Sequence, residues 1–408
     1  MSIERLVQSA DALYLKVPHR TAFAVLFFLG VYAMMLVGND WTPYDFSLFY
    51  ASGQAFLDGN PPYEPGAVPE LDIEPHINRN PPIWLLLFAP LTQLSFWTAH
   101  AVMVAGVVVA YALNAVLLLR NGLASFRQPL TVLWLAALTG FWRALGQAQT
   151  HVLLALVVTG AYFNLYRRPI LAGVLVGFLA SSKPNYVIWP LFLFLAGGLR
   201  ILVASAITAA LVVAASFAIG PELPFDYVES MQGVEAAPIA MNSSLASQIA
   251  KYGITGLEVP IAALIVLPLA VLVWRSRASL EDASGLALAA APLASPLAWP
   301  AYSLFLLPVL FSRRWHHPEL LAAGLLVIPL SPLPIFRELT GTACCAAYIT
   351  VIAIIAVPLL RARLNADHAA FDLLRGGSVL RCGADHDPAP AASRDGGTGQ
   401  GDRGARTA

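Results

Sequence analysis

Charge is what this sequence has least of. Asp, Glu, Lys and Arg together make up 12% of its 408 residues, about half the usual share of a soluble domain. The 24 basic and 24 acidic residues cancel, so no nucleic-acid partner is expected. Lysine is almost missing, with only Lys16, Lys183 and Lys251. Cysteine is equally scarce. Cys344 and Cys345 adjoin in an apolar run and Cys382 lies in a polar stretch, which excludes a disulfide framework and gives no zinc spacing. Gly-rich phosphate loops, HExxH and a serine nucleophile elbow are also missing, so no soluble nucleotide site is expected. No metal and no cofactor are expected either.

Apolar residues take the place of charge. They make up 58% of the chain, at a mean hydropathy of +0.68, more than a soluble fold of this size could bury. The sequence therefore predicts an all-α polytopic membrane protein. The apolar runs place about twelve spans near 21–38, 99–119, 129–142, 149–166, 169–182, 185–199, 201–220, 258–274, 283–295, 298–312, 318–336 and 342–360. Several are shorter than the roughly 20 residues a membrane helix needs, so proline- or glycine-broken helices are expected. The run at 21–38 reads as a retained signal anchor.

Basic residues collect on the cytoplasmic side of a membrane. Placing Arg5/Lys16/Arg20, Arg120/Arg127, Arg167/Arg168, Arg200, Arg275/Arg277, Arg313/Arg314 and Arg361/Arg363 there gives a consistent map with both termini inside. Only Arg79, Arg143, Lys183, Lys251 and Arg337 then fall outside. The run Ile83 to Phe96 is kept on the outer side as a re-entrant or interfacial segment. The organisation is a cytoplasmic N-terminus at 1–20, a membrane domain at 21–360 with outer loops near 39–98 and 221–257, and a disordered cytoplasmic tail at 361–408. Arginine in place of lysine, with heavy use of Ala, Gly and Pro, points to a GC-rich bacterial genome, hence a bacterial inner membrane.

Polar residues stranded at the outer ends of apolar runs are the candidate site. Phe46, Phe49, Tyr50, Phe56 and Leu57 fall on one helical face. That helix is expected to lie in the interface with this face in lipid. Asp45 at its start is either an N-cap or an ionised carboxylate placed for general base work. Arg143, Gln147, Gln149 and His151 form an outer mouth or a wet loop. Lys183 holds a phosphate or snorkels to the interface. Asn242 bonds a sugar hydroxyl or caps a helix. Trp299 stacks on a sugar or anchors at the interface. His316 and His317 read as a solvated loop.

In order along the chain stand Asp45-Phe-x-x-Phe49-Tyr50-x-x-Gly53, Gly59-Asn-Pro-Pro-Tyr63, Asn80-Pro-Pro-Ile83, Gly146-Gln-Ala-Gln149, Gly173 followed by Lys183-Pro184, Asn242-Ser-Ser244 and Ser295-Pro-x-x-Trp299. This series resembles glycosyltransferase family 87, the polyprenol-phosphate-sugar-dependent enzymes of the membrane glycosyltransferase C superfamily, over most of residues 20–360. The resemblance implies a glycosyltransferase C-like fold with interfacial helices in the first outer loop. It implies transfer of a sugar, mannose first, from a polyprenyl-phosphate donor to a glycolipid or cell-envelope glycan at the outer face, with inversion. Asp45 would be the base. Apart from the resemblance, Lys183 and Arg143, with Arg337 as a third candidate, are the cations expected to balance the leaving phosphate, with Tyr50, Gln147, Gln149, Asn242 and Trp299 lining the substrates and membrane lipids as the surrounding partner. Ala298 and Ala301 stand where many relatives have Ser and His, with His76, His100 and His151 as possible substitutes. An arabinofuranosyltransferase of the same superfamily, a transporter or flippase, and an inactive scaffold are the alternatives.

Overall fold

A computed structural model describes residues 43–64, 66, 68, 77–122, 129–232, 241–327 and 334–376. The expected first span, Asp40, Glu70, Asp72, Glu74, His76 and Arg127 lie outside the described residues. Among the described residues the fold is all-helical with no strand. In order come α1 (Tyr44–Leu57), a 3₁₀ turn (Pro82–Trp84), α2 (Leu85–Leu91), α3 (Phe96–Asn121), α4 (Pro129–Ala136), α5 (Thr139–Gly146), α6 (His151–Asn164) and α7 (Pro169–Ser182). A second 3₁₀ turn (Pro184–Val187) leads to α8 (Ile188–Leu195), α9 (Leu199–Ile219), α10 (Leu223–Ser230), α11 (Leu245–Ala250), α12 (Glu258–Ser276) and α13 (Leu280–Ala294). A third (Pro300–Leu306) precedes α14 (Leu307–Phe311), α15 (His317–Leu325) and α16 (Pro334–Gly376). The chain divides at Ala362/Arg363 into two units.

Four described helices are long and apolar enough to cross a membrane: α3, α9, α12 and Leu339–Ala366 within α16. Among the described residues, the other expected crossings fall on shorter or broken helices. The run at 129–142 is two helices, and the break has a visible cause. The Tyr111 hydroxyl donates to the Leu135 carbonyl at 2.6 Å, and the Trp142 indole N–H donates to the Ala136 carbonyl at 2.8 Å. The Thr139 N–H bonds the Leu326 carbonyl at 3.0 Å instead of an intrahelical one. Backbone groups freed by the break are thus paired without water. The run at 298–312 is likewise a 3₁₀ turn joined to α14, with Pro300 and Pro308 each at a helix start.

Two expectations are corrected. The first half of the apolar face of α1 packs into protein, not lipid: Phe46 and Phe49 are buried, and Phe49 stacks on Phe88 at 4.1 Å, while Leu57 at its far end stays exposed. Gly53 lies so close to the Phe88–Ala89 backbone that a Cβ there would stand 3.0 Å from it. Disorder does not begin at Arg361, because α16 continues to Gly376. Residues 361–375 are rich in Ala, Leu and Arg, strong helix formers that carry the helix on.

Helix α13 is buried on every side from Ala283 to Leu293, as a helix apolar all round should be. The Trp189 indole of α8 donates to Ser284 at 2.9 Å. The tightest helix pair is α7 with α9. Gly173 and Gly177 stand four apart on α7, and the Ser205 hydroxyl of α9 donates to the Gly173 carbonyl at 2.9 Å. A Cβ at Gly177 would lie 2.4 Å from the Ser205 carbonyl oxygen. This is the small-residue seam that lets membrane helices meet backbone to backbone. Gly177→Ala is therefore expected to destabilise the fold by roughly 1–3 kcal/mol, read as a lowered thermal midpoint in detergent. Gly106→Ala, whose new Cβ would meet nothing within 4 Å, is the control that should not lower it.

Candidate functional site

Three chain segments bring polar groups together: the first turn of α1, the α5–α6 turn, and the joint between α7 and its following 3₁₀ turn. Asp45 lies in the first turn of α1, but the N-cap is Pro43 and no side chain caps this helix. The carboxylate is thus free of the capping role. Its Oδ2 accepts a hydrogen bond from the Gln149 amide, and the Asp45 backbone N–H donates to Gln147 Oε1 at 3.2 Å.

Both glutamines reach one residue because of the alanine between them. Ala148 has φ +46°, one of two non-glycine residues with positive φ among those described. The left-handed conformation costs an L-residue about 1–2 kcal/mol. It closes a Schellman-type end on α5, where the Gln149 N–H bonds the Ala144 carbonyl at 2.8 Å. The Ala148 methyl is fully buried, so packing holds the turn in place.

Two cations flank the carboxylate. Arg143 is in the last turn of α5, the helix end that favours positive charge, and its Nε is buried without a partner. Lys183 donates to Asn80 Oδ1 at 3.0 Å and sits 6.0 Å above the Tyr302 ring. Burial pushes the Asp45 carboxyl above its ordinary value, with Arg143 and Lys183 pulling it back. Burial pushes the Lys183 ammonium down to about 8, opposed by Asp45. In each case desolvation outweighs the charge partners.

Unused hydrogen-bonding capacity gathers on the same side. Gln149 Oε1, Thr150 Oγ1, both ring nitrogens of His151 and the Tyr186 hydroxyl are buried without partners. Each such atom costs about 1–3 kcal/mol unless something pairs with it. His151 lies 4.6 Å from the Tyr302 ring, and Tyr186 stacks on Tyr302 at 5.9 Å. The arrangement suits an anionic, hydroxyl-bearing ligand: a carboxylate to take a proton, two cations for phosphate, and amide and imidazole groups for hydroxyls. Among the described residues no three His, Cys, Asp or Glu side chains form a group that could hold a metal.

Of the residues singled out in the sequence, Asp45, Arg143, Gln147, Gln149 and Lys183 come together. The other three are engaged with the scaffold. The Tyr50 hydroxyl donates to the Leu94 carbonyl at 2.8 Å. Asn242 is fully buried; its Oδ1 accepts from the Ala298 N–H at 2.9 Å and its amide donates to the Pro296 carbonyl at 2.9 Å. Trp299 packs partly buried against the core, and its carbonyl accepts from the Tyr302 N–H at 3.0 Å. His100 sits in an aromatic cluster with Phe46, Phe96 and Trp97. Sequence reasoning passed over Asn80, Tyr186, Tyr302 and the backbone of Ala148. Asn80 opens the Asn80-Pro-Pro-Ile83 motif, so its signal was present; Ala148 carries none in its side chain.

The model of the family described as glycosyltransferase family 87 matches residues 79–300. That stretch includes Asn80, Arg143, Gln147, Gln149 and Lys183 and begins after Asp45. A polyprenol-phosphate-mannose-dependent alpha-(1-2)-phosphatidylinositol mannoside mannosyltransferase of Mycolicibacterium smegmatis is 27% identical over 353 residues, covering 73% of this chain and 78% of that one. No solved structure matches the chain.

The hydrogen bond from Gln149 favours the ionised form of Asp45, so its loss must raise the carboxyl further. Infrared difference titration, with Asp45→Asn to identify the band, should place the Asp45 midpoint above the ordinary 3.8 and higher again in Gln149→Leu. A midpoint unmoved by Gln149→Leu would remove that contact from the site.

Proposed function

The chain belongs to glycosyltransferase family 87, and from that premise we propose that it moves a sugar, mannose first, from a polyprenyl-phosphate donor. The acceptor is a glycolipid or cell-envelope glycan, and the reaction takes place at the outer face of the bacterial inner membrane. The donor follows from the related mannosyltransferase, whose name states that dependence. The acceptor class follows from the same name, which describes a glycolipid. The membrane domain, at 21–360, is proposed to be glycosyltransferase C-like with about twelve crossings.

The observation that carries the residue assignment is the Asp45 carboxylate held by Gln149 and flanked by Arg143 and Lys183. An acceptor hydroxyl gives its proton to Asp45 while its oxygen attacks the anomeric carbon. The bond from that carbon to the phosphate oxygen breaks, and the electron pair leaves with the lipid phosphate. The phosphate needs no proton to leave. Lys183 and Arg143 balance its charge in a partly dry site, where fixed cations act more strongly than in water. Attack opposite the leaving group inverts the anomeric carbon.

Two measurements test this reading in nanodiscs supplied with labelled polyprenyl-phosphate mannose and a membrane glycolipid extract. Asp45→Asn should lower kcat by roughly 100- to 10,000-fold, the usual share of a general base, with expression unchanged. Equal product from both proteins would leave a transferase without Asp45 as its base. No product from wild type with mannose or arabinose donors would favour a transporter.

The second measurement is the pH profile. Asp45 must be deprotonated to act, so kcat/KM should rise through an acid limb above the usual carboxylate range. Lys183 must keep its proton to hold phosphate, so kcat/KM should fall as pH passes about 8. Lys183→Arg keeps its charge at every accessible pH and should abolish that alkaline limb, whatever it does to the maximum. An alkaline limb unchanged in Lys183→Arg would assign it to another group.

A further inference from the structure

Helix α10 presents three faces of different character. Leu223 and Tyr227, one turn apart, face the protein: Leu223 is buried with Tyr63 and Leu85, and Tyr227 packs against that cluster. Glu222, Asp226 and Glu229 recur at intervals of four and three on a second face. Phe225, Val228 and Met231 recur every three residues on the third, and are 67%, 60% and 38% exposed. Three large apolar side chains along one short helix are more than scattered surface hydrophobes.

The exposed face continues an apolar surface already present. Phe225 meets Phe217 edge-on at 5.6 Å. Phe217 lies in the last turn of α9, a helix long and apolar enough to cross a membrane, whose Val203, Ile207 and Leu211 are 48%, 57% and 65% exposed. Gly220 and Pro221 end α9, with Gly220 extended at φ −170°, and the chain restarts in α10. A helix with one side on protein, one acidic side and one apolar side continuous with a membrane span has the pattern of an element lying in the bilayer interface.

We infer that α10 is a membrane-docking helix, with Phe225, Val228 and Met231 seated in the lipid of the leaflet next to the site and Glu222, Asp226 and Glu229 in water. The bilayer is the partner the geometry fits. This inference rests on the proposed membrane placement, but not on Asp45 or on the donor. It has a consequence for the site. Tyr63, against which Leu223 and Tyr227 pack, donates its hydroxyl to the Asn80 carbonyl at 2.9 Å, and the Asn80 side chain accepts from Lys183 at 3.0 Å. The lipid seat of α10 and the position of Lys183 are two ends of one chain of contacts.

The test uses full-length protein in nanodiscs of phosphatidylcholine and phosphatidylglycerol, with Cys344, Cys345 and Cys382 replaced by alanine. Nitroxide labels are introduced singly through Phe225→Cys, Val228→Cys, Glu222→Cys and Glu229→Cys. Power-saturation resonance then compares collisions with oxygen, which concentrates in lipid, and with a nickel chelate, which stays in water. The docking helix requires labels at 225 and 228 to favour oxygen several-fold and labels at 222 and 229 to favour nickel. Preference for nickel at all four positions, or shielding of 225 and 228 from both agents, would overturn it. A second arm pairs Phe225→Asp with Val228→Asp and measures transfer in the same nanodiscs. KM for the polyprenyl donor should rise roughly tenfold with kcat little changed; an unchanged KM would break the link to Lys183. Absence of transfer by wild type would count against the proposed function and leave the resonance result standing.

Discussion

A carboxylate taken out of water needs compensation, and the geometry around Asp45 is organised by that need. Burial alone drives the group toward its neutral, non-basic form. Arg143 and Lys183 oppose the drift, and Gln149 adds a hydrogen bond that only the ionised form fully rewards. The cations are themselves partly desolvated, so each of the three charges is tolerable because the others are near. Breaking one member of such a set strands the rest, which is why its parts come from separate stretches of chain held by a rigid frame.

The frame is made of short pieces. Helix α4 stops where Tyr111 and Trp142 take over its free carbonyls, and α5 starts with its Thr139 N–H on the Leu326 carbonyl. The α7–α9 seam, the buried α13 and the Asn242 tie to residues 296–298 hold these pieces in place. This membrane glycosyltransferase therefore carries its polar groups at helix ends, where apolar helices meet and where a broken helix exposes a backbone group or a cap.

Much of that placement could be read in the sequence. Arg143, Gln147, Gln149 and Lys183 stood out because a polar residue between apolar runs is costly unless something uses it, and Asp45 because it opens an amphipathic helix. Periodicity identified the apolar face of α1 correctly, yet could not tell what covers it. Phe88 and Phe96 do so, and both are distant along the chain. Asn242 could be read either as a sugar contact or as a cap; only the fold reveals the backbone groups that its amide and the Tyr50 hydroxyl engage. The left-handed turn at Ala148 was illegible, since alanine gives no sign of the conformation that glycine would announce. The helical continuation past Arg361 was missed because composition of the whole tail hid the helix formers at its start.

The lengths of α6 and α7 have one more consequence. Each has 14 residues and rises about 21 Å, well short of the ~30 Å thickness of bilayer hydrocarbon. On the proposed placement, with each helix seated at the inner face, the ends that carry His151 and Lys183 stop below the level of the outer lipid headgroups, unless the bilayer thins around them. A reactive phosphate meeting these residues is then drawn slightly into the membrane, and a water-borne partner must descend to it. Lipid thickness thereby becomes a variable of the reaction: a thicker bilayer deepens the well in which the two substrates meet, and a thinner one lifts its floor.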